Sequence, residues 1–321
     1  MSESVFEIRN LRKSYGKHVV LDDINIKVKA GEILGLIGSS GSGKTTLLNS
    51  IIGFIKPDSG EIMFRHKTHD KKKSDYLSVE RHQQLVKTKY GFASQSPSFY
   101  DKLTVIENLR YFGSLHGLSR LTIETNAQTL LKLMGLEAAE STLAKNLSGG
   151  MERRLDISCA MMHDPDVLLL DEPTADLDPI LRKHIWDLVK MINKKGTSII
   201  LASHHLAELE DLCSRIAIIK KGNIRAVGSP KEILEQFSEN QEIRLTSSPG
   251  KYGELLKLMN KKHITNSKVS NKVLIMQTNK QQEALESITS ALRKRNEKLL
   301  SISINKATLD EIFMNVMKDE K

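Results

Sequence analysis

The chain has little cysteine, no long apolar run and no apolar segment at its start, and each absence excludes a class of protein. Its only cysteines, Cys159 and Cys213, are too few for a disulfide scaffold or a cysteine metal cluster. Both lie in apolar stretches, so we expect small buried hydrophobic side chains. No run approaches the roughly 18 apolar residues of a membrane span, and the N-terminal residues lack the apolar core of a signal peptide. We therefore expect a soluble, cytosolic protein.

The length and composition are typical of a folded protein with one large domain or two modest ones. The chain has 321 residues and a mass of 36.1 kDa, which exceeds the usual size of a single domain. Hydrophobic residues make up 39% of it and charged residues 27%. These values are close to globular averages and exclude disorder, collagen and a coiled coil as descriptions of the whole chain.

The formal net charge of +9 is concentrated in one segment. Residues 65–89 contain eight Lys and Arg against three Asp and Glu, an excess of +5. A basic surface spread over a whole face would indicate nucleic acid, whereas a local polar run without interleaved aromatic residues is typical of a solvated loop. We therefore favour a loop around 65–75 and expect no nucleic-acid partner.

Apolar runs and helical patterns alternate along most of the chain. Continuous apolar runs at 33–38, 167–171 and 198–203 predict strands that are buried on both faces. Helices are predicted at 44–53, 121–146, 147–162 and 179–195, the last capped by Asp178 and stopped by Gly196. Buried strands that alternate with helices predict an α/β domain with a largely parallel core sheet.

Residues 239–321 predict a second, smaller α+β domain that follows a first domain at 1–238. The predicted order of elements is βαββαβ, which is the split βαβ or ferredoxin-like arrangement. Its last helix carries an apolar stripe of Leu309, Ile312, Phe313, Val316 and Met317. No residues in this domain converge on a catalytic pattern, so we interpret it as an interaction or regulatory domain.

A glycine-rich turn between the first buried strand and the next helix matches the phosphate-loop pattern GxxxxGK[ST]. The matching residues are Gly38, Ser39, Ser40, Gly41, Ser42, Gly43, Lys44 and Thr45. Glycines allow the backbone N–H groups to point at phosphates, and the helix N-terminus adds positive potential. In such a loop Lys44 reaches the β- and γ-phosphates and the Thr45 hydroxyl binds Mg²⁺, while Thr46 follows as a further nucleotide-binding candidate. The alternative, a flexible Gly/Ser linker, is disfavoured by the strand–turn–helix context.

Two further motifs point to the same chemistry. Asp171 ends the second buried strand, where its carboxylate can meet the Mg²⁺ shell, and Glu172 can act as the general base for an attacking water. A helix cap is the alternative interpretation of this acidic pair. Upstream, the turn that begins at Leu147 and Ser148 opens a helix and forms a second anion site, without a lysine of its own.

With these motifs in this order, residues 5–237 resemble the ATPase subunit of an ATP-binding cassette (ABC) transporter. The resemblance implies that Tyr15 stacks on adenine and that Gln95 contacts Mg²⁺ and water and couples to the membrane subunit. It also implies that Ser148, Gly149 and Gly150 form the signature that completes the ATP site of the opposite protomer.

The same resemblance implies that Asp176 and Asp178 lie in a dimer-contacting loop and that His204 contacts the γ-phosphate. His204 is chosen over the adjacent His205 because it directly follows the strand that ends at Ser203. Catalysis is thereby assigned to Glu172, His204 and Gln95, and Mg²⁺ binding to Thr45, Gln95 and Asp171. Tyr15 has an alternative role as an ordinary half-buried strand residue.

The implied fold is a P-loop NTPase cassette: a RecA-like parallel core, an antiparallel β subdomain and a helical subdomain at about 97–162. The implied cofactors are ATP and Mg²⁺. Within the family, LSGGMERRL, TADLDP and ATLDEIFMNVM are similar to the ATPases of type-2 exporters, the daunorubicin-resistance, lipid and polysaccharide export group. Met151 replaces the usual signature glutamine, so no polar contact to nucleotide is implied there.

The implied function is to power export through a separately encoded permease, by ATP-driven head-to-tail dimerisation on the cytoplasmic face of the membrane. The dimer contains two copies of this chain or one copy and a second cassette subunit. Two alternatives stay open: an ABC ATPase that regulates a membrane complex without transport, and one that acts on ribosomes or nucleic acid. A single cassette without heptad repeats disfavours the latter.

Overall fold

The computed structural model divides into two compact units, Met1–Ser229 and Pro230–Lys321. The structure describes residues 4–67, 74–204, 206–237, 241–259, 264, 266–278, 280–305, 309 and 312–313. The units divide before Pro230, so a helix that the sequence assigns to the first domain, residues 230–237, falls in the second unit. Among the described residues, no helix combines the length and the apolar character needed to cross a bilayer.

The strands of the first unit form two sheets. In chain order they are β1 (Ser4–Tyr15), β2 (His18–Lys29), β3 (Ile33–Ile37), β4 (Ser59–Lys67), β5 (Ser74–Ser78), β6 (Tyr90–Ala93), β7 (Val167–Asp171), β8 (Ser198–Ser203), β9 (Arg215–Lys220) and β10 (Asn223–Gly228). The helices of this unit are α1 (Lys44–Ile51), α2 (Gln83–Lys87), α3 (Val105–Leu115), α4 (Arg120–Met134), α5 (Gly149–Met161), α6 (Pro179–Lys194) and α7 (Leu206–Glu210).

The core sheet has the strand order β10-β9-β3-β8-β7-β6, and its neighbours are parallel except for β9 and β10. Strands β3, β7 and β8 are buried along their whole length, as their continuous apolar sequences predict. Because these three strands are adjacent and parallel, the loops after Ile37, Asp171 and Ser203 meet at one edge of the sheet. Open parallel sheets bind ligands at this carboxyl edge.

The second sheet of this unit is antiparallel, in the order β2-β1-β4-β5. Its apolar face shares one core with the parallel sheet, and the rings of Phe6 and Phe64 both pack on Tyr90. The basic segment 65–75 is predicted as a loop, but its described ends belong to the paired strands β4 and β5. Residues 65–67 of β4 pair antiparallel with residues 74–76 of β5, and this cross-strand pairing, which the local pattern of polar residues does not reveal, explains the difference. Residues 68–73 lie outside the described part of the chain.

Helices α3, α4 and α5 form the region predicted as a helical subdomain. Gly113 in α3 allows close packing, because a Cβ there would lie 2.8 Å from Ile123 of α4 and 3.0 Å from Met162. The helix predicted over 121–146 is wrong in length: α4 ends at Met134. Gly135 adopts the left-handed conformation, with φ of 61°, and this conformation ends a helix.

Helix α6 begins as the sequence predicts. The Asp178 carboxylate accepts hydrogen bonds from the backbone N–H groups of Ile180 and Leu181, at 2.9 and 3.0 Å. Pro179 occupies the first turn, where its missing N–H costs nothing. This cap fixes the end of the loop that joins the carboxyl edge of β7 to α6.

The second unit has the predicted βαββαβ arrangement after an initial helix. Its elements are α8 (Pro230–Phe237), β11 (Gln241–Ser248), α9 (Tyr252–Leu258), β12 (Asn266–Ser270), β13 (Val273–Thr278), α10 (Gln281–Lys294) and β14 (Lys298–Asn305). The sheet is antiparallel in the order β12-β13-β11-β14. The sheet and both of these helices share one buried core, which contains Ile243 of β11, Leu255 of α9 and Ile288 of α10.

Part of the predicted terminal stripe lies in the described residues. Leu309 and Ile312 are buried, at 2% and 1% exposure, and Phe313 is half-buried. Val316 and Met317 lie outside the described residues. For the three that are described, burial agrees with a role in packing.

Candidate nucleotide-binding site

A cavity of about 680 Å³ lies at the carboxyl edge of the core sheet. Its lining consists of His18, Val20, Ser39, Ser40, Gly41, Ser42, Gly43, Lys44, Thr45, Thr46, Gln95, Glu172, Ala175 and His204. The structure therefore gathers most of the residues predicted from the glycine-rich turn, together with Gln95, Glu172 and His204. It adds His18, Val20 and Ala175, for which the sequence carried no motif.

The glycine-rich turn is compact because two glycines allow close backbone approach. A Cβ at Gly38 would lie 2.3 Å from the Ser42 hydroxyl oxygen and 2.6 Å from the Ile219 carbonyl oxygen. Gly43 has a φ of 105°, in the left-handed region, and a Cβ there would lie 2.8 Å from the Val20 carbonyl oxygen. The turn leads directly into α1, so free N–H groups at the helix N-terminus face the cavity and favour an anion.

Lys44 supplies the positive charge of this turn. Its side chain is 8% exposed, and its ammonium donates to the carbonyl oxygens of Gly38 at 2.8 Å and Ser39 at 3.3 Å. The same ammonium lies 3.7 Å from Oε1 of Glu172. A buried cation with carbonyl and carboxylate partners is well placed to exchange these contacts for phosphate oxygens.

Asp171 lies beneath the cavity rather than on its surface. The residue is 1% exposed, and its Oδ1 has no hydrogen-bond donor within the described residues. Burial raises the pKa of this carboxyl group, against the lowering effects of a hydrogen bond from the Thr45 hydroxyl and the Lys44 charge. A buried carboxylate oxygen without a donor, beside a hydroxyl, fits a hard cation such as Mg²⁺ or a water in its shell.

Glu172 follows β7 in an unusual backbone conformation. Its φ is 47°, in the left-handed region, where a non-glycine residue is strained. Its N–H donates to the Ala202 carbonyl oxygen at 2.9 Å, which holds the residue against β8. The carboxylate Oε2 lies 2.8 Å from Nδ1 of His204, so the end of β7 and the end of β8 meet through a carboxylate–imidazole contact.

Tyr15 is not among the residues that line the cavity. The residue is 52% exposed, and the ammonium of Lys13 lies 5.5 Å from the ring centroid. His18 and Val20, which follow it on β2, do line the cavity. An exposed ring near the mouth is compatible with adenine stacking, and that role stays a prediction.

The signature residues Ser148, Gly149 and Gly150 also lie outside the cavity lining. Ser148 is the N-cap residue of α5, yet its exposed hydroxyl makes no capping hydrogen bond. Gly150 packs closely on Leu181, since a Cβ there would lie 2.9 Å from its Cδ2 methyl group. Met151, next in the helix, is half-buried. Ser148 and Gly149 are thus exposed to solvent, and the turn does not line the cavity of its own chain.

Arg153 is a buried residue to which no sequence motif assigns a role. Its guanidinium donates to backbone carbonyls on both sides of Glu172 and beside Gln95. The only signal in the sequence was its place as the first of two adjacent arginines in LSGGMERRL, which alone does not distinguish a buried, hydrogen-bonded side chain from a solvated one.

The fold and cavity define a phosphate-binding α/β protein, and comparisons with known proteins identify its family. A model of the ABC transporter family matches residues 21–175. The chain is 30% identical to the linearmycin resistance ATP-binding protein LnrL of Bacillus subtilis over 97% of this chain and 98% of that protein. It is 35% identical to the Nod factor export ATP-binding protein I of Cupriavidus metallidurans over 72% and 73%. It is 28% identical to a daunorubicin resistance ATP-binding protein of Streptomyces coeruleorubidus over 100% and 98%.

Comparison with solved structures indicates the same family. An ATP-binding subunit of an ABC transporter matches with a TM-score of 0.64 and 29% identity, over 73% of this chain and 93% of that one. A dimeric ATP-binding cassette in a post-hydrolysis state, bound to ADP and Pi, matches with a TM-score of 0.61 and 26% identity, over 70% and 98%. The chain belongs to the ABC transporter family. Within that family it is an ATP-binding, ATP-hydrolysing subunit of the exporter type.

Proposed function

We propose that this chain hydrolyses Mg-ATP at composite sites in a head-to-tail dimer of cassettes and thereby drives a separate membrane permease. The observation that carries the proposal is the position of Glu172. Its carboxylate lies 2.8 Å from His204 and 3.7 Å from Lys44 at the wall of the cavity. A general base is thus held between a phosphate-binding cation and an imidazole.

Binding begins with the glycine-rich turn. The N–H groups at the start of α1 and the Lys44 ammonium bind the phosphates, and Lys44 gives up a carbonyl contact to do so. Thr45, Gln95 and Asp171 hold Mg²⁺, which neutralises phosphate charge when it is bound. The Oδ1 of Asp171, which accepts no hydrogen bond from the described part of the chain, supports this assignment.

Hydrolysis requires a water to lose a proton as it attacks the γ-phosphate. Glu172 accepts that proton, and its strained backbone directs the carboxylate towards the cavity. His204, already hydrogen-bonded to Glu172, orients the carboxylate and contacts the γ-phosphate. Gln95, exposed at the cavity wall, orients the water and reports nucleotide state to the permease.

The signature turn completes the site of another protomer. Ser148 opens a helix, is exposed, and keeps its hydroxyl free of a cap contact. A helix N-terminus of this kind favours an anion, and the cavity of its own chain does not include it. Two chains placed head to tail satisfy both half-sites at once, with the loop that carries Asp176 and Asp178 at the contact.

The membrane partner is a separately encoded permease, which determines the cargo. The relatives that match are described by antibiotic resistance or by export, and this supports export as the direction. The chain then acts at the cytoplasmic face of the membrane as a peripheral subunit. ATP binding closes the dimer and hydrolysis opens it, which gives the permease two states.

Affinity purification from detergent-solubilised cells tests the permease assignment. We expect a tagged chain to retain one polytopic membrane protein in about equal amount, and the purified complex to hydrolyse ATP faster than the chain alone. A chain tagged identically but carrying Lys44→Ala should retain the same partner without ATP hydrolysis. Co-sedimentation with ribosomes in place of a membrane partner would contradict the proposal.

We propose that the second unit is a regulatory or interaction domain of the ATPase and that it does not bind nucleotide. It has its own core of strand and helix residues, and each described residue that lines the cavity belongs to the first unit. A chain that ends at Phe237 is therefore expected to fold and to bind ATP with an affinity within about threefold of the full chain, since each unit buries its own apolar core. Its basal ATPase rate or dimer stability should change.

Isothermal titration of ATP into the truncated chain measures this affinity. A second chain that ends at Ser229 is the matched variant, because it omits α8 at the boundary between the compact units. Insolubility or loss of binding in both truncated chains would show that the cassette needs the C-terminal unit.

A further inference from the structure

Arg153 lies on α5, one turn beyond the signature, and each of its three guanidinium nitrogens donates a hydrogen bond. The residue is 8% exposed. It donates to the carbonyl oxygens of Asp171 at 2.9 Å, Pro173 at 3.0 Å and Ser94 at 2.6 Å. A fourth contact joins it to Oδ2 of Asp156 at 3.1 Å. Burying a charge is costly unless it is paired and hydrogen-bonded in this way.

The carbonyl acceptors of Arg153 bracket the proposed catalytic base. Asp171 precedes Glu172 and Pro173 follows it, and Arg153 holds the carbonyl oxygens of both. The strained backbone of Glu172, with φ of 47°, is therefore fixed on either side by one rigid group. A planar guanidinium reaches several acceptors at set angles, which a lysine ammonium on a flexible stem does not.

Arg153 and Asp156 together hold the loop on both sides of Gln95. Arg153 binds the carbonyl oxygen of Ser94, directly before it. Asp156 is fully buried, and its Oδ1 accepts from the backbone N–H of Ser98 at 2.9 Å and from the Ser98 hydroxyl at 2.7 Å. The loop that presents Gln95 is thus tied to α5 at both ends.

The two ends of this contact network on helix α5 therefore belong to different ATP sites of the proposed dimer. Its N-terminus, Ser148, is exposed and directed to the nucleotide of a partner chain in the dimer proposed above. Its middle, at Arg153 and Asp156, is bonded to the base and the glutamine loop of its own chain. A single helix of 13 residues spans both, so a shift at one end moves groups at the other.

We propose that the Arg153–Asp156 pair couples the two ATP sites of the dimer, by positioning Glu172 and Gln95 of one site according to the nucleotide that α5 contacts in the other. This rests on the proposed function, because it needs a dimer with composite sites. Arg153 is a positioning residue: it touches neither nucleotide, and it acts through the backbone carbonyls on either side of Glu172 and through the carbonyl that precedes Gln95.

Three variants test the proposal. Arg153→Lys keeps the positive charge but loses the planar guanidinium that reaches several carbonyl oxygens at once. Arg153→Met combined with Asp156→Leu replaces the buried pair by apolar groups of similar size, which preserves stability better than removal of one partner. Arg154→Lys is the matched control. Arg154 is the next residue of α5, and its guanidinium also binds carbonyl oxygens, those of Gly150 one turn earlier in α5 and of Met134 and Gly135 at the end of α4. None of these carbonyls belongs to a residue next to Glu172 or Gln95.

The measurements are ATP affinity by isothermal titration, kcat, and the Hill coefficient for ATP, all well below the melting temperature of each variant. For wild type we expect a Hill coefficient clearly above 1, since occupied sites assist each other. For Arg153→Lys and for the double variant we expect ATP affinity within about twofold of wild type, kcat lower by about 10- to 100-fold, and a Hill coefficient of about 1. Arg154→Lys should retain both kcat and cooperativity within about twofold.

A purely structural role gives a different pattern. It would lower the melting temperature and leave kcat and the Hill coefficient of the folded protein as in wild type, which would overturn the proposal. Equal losses in Arg154→Lys, or a wild-type Hill coefficient of 1, would overturn it as well. Wild-type protein that neither hydrolyses ATP nor dimerises with it would instead overturn the proposed function, and the inference with it.

Discussion

Replacing Glu172 with glutamine is expected to lower ATP hydrolysis by about 10²- to 10⁴-fold while ATP binding persists. The amide keeps the shape of the side chain and accepts a hydrogen bond from His204, but it cannot take a proton from water. It also removes the negative charge that lies 3.7 Å from the Lys44 ammonium, so Lys44 is freer to bind phosphate. The variant should therefore accumulate as an ATP-bound dimer.

Size-exclusion chromatography with and without Mg-ATP, beside a phosphate-release assay, measures both effects. Glu137→Gln is the matched control, because it makes the same chemical change at an exposed carboxylate that does not line the cavity. The control should hydrolyse ATP as wild type does and give no stable dimer. Near-normal turnover by Glu172→Gln would show that another group is the base.

The second large effect is complementation between two inactive variants. Lys44→Ala removes the cation of the phosphate turn and should fail at nucleotide binding. Ser148→Arg blocks the exposed signature turn and should abolish hydrolysis in a homodimer, although its own phosphate turn is intact. Mixed, the two proteins form dimers in which one site combines an intact Lys44 with an intact Ser148.

We expect equal mixtures to recover up to roughly a quarter of wild-type activity, since about half of the dimers are mixed and each has one complete site of two. The control carries Lys44→Ala and Ser148→Arg on one chain. Mixed with wild type, this double variant spoils both sites of the mixed dimer and should inhibit. Normal hydrolysis by Ser148→Arg alone would show that the signature turn does not act between chains.

Several elements were predictable because their signals are local. The apolar runs of β3, β7 and β8 identify strands buried on both faces, and Asp178 with Pro179 marks the start of α6. The βαββαβ order of the second unit was readable in the same way. Each of these signals depends on side-chain type and spacing within a few residues.

The errors arose where the local structure depends on long-range strand pairing or on a choice among several allowed backbone conformations. Residues around 65–75 look like a polar loop, but the described ends of this stretch pair as β4 and β5 within a sheet. The helix predicted to 146 stops at Gly135, where the left-handed conformation was one of several allowed choices for glycine. Local polarity does not reveal which strands lie beside each other.

The sequence by itself determined the order and chemistry of the motifs, because a phosphate turn, an acidic pair and a signature turn are each made from consecutive residues. It also determined the family. Only the tertiary structure decided which of these residues meet, because the order β3-β8-β7 brings together loops that are far apart in the chain. That order places His204 against Glu172. The tertiary structure also leaves Ser148 outside the cavity. It makes Arg153 the buried residue that connects the helix beginning after Ser148 to the backbone around Glu172.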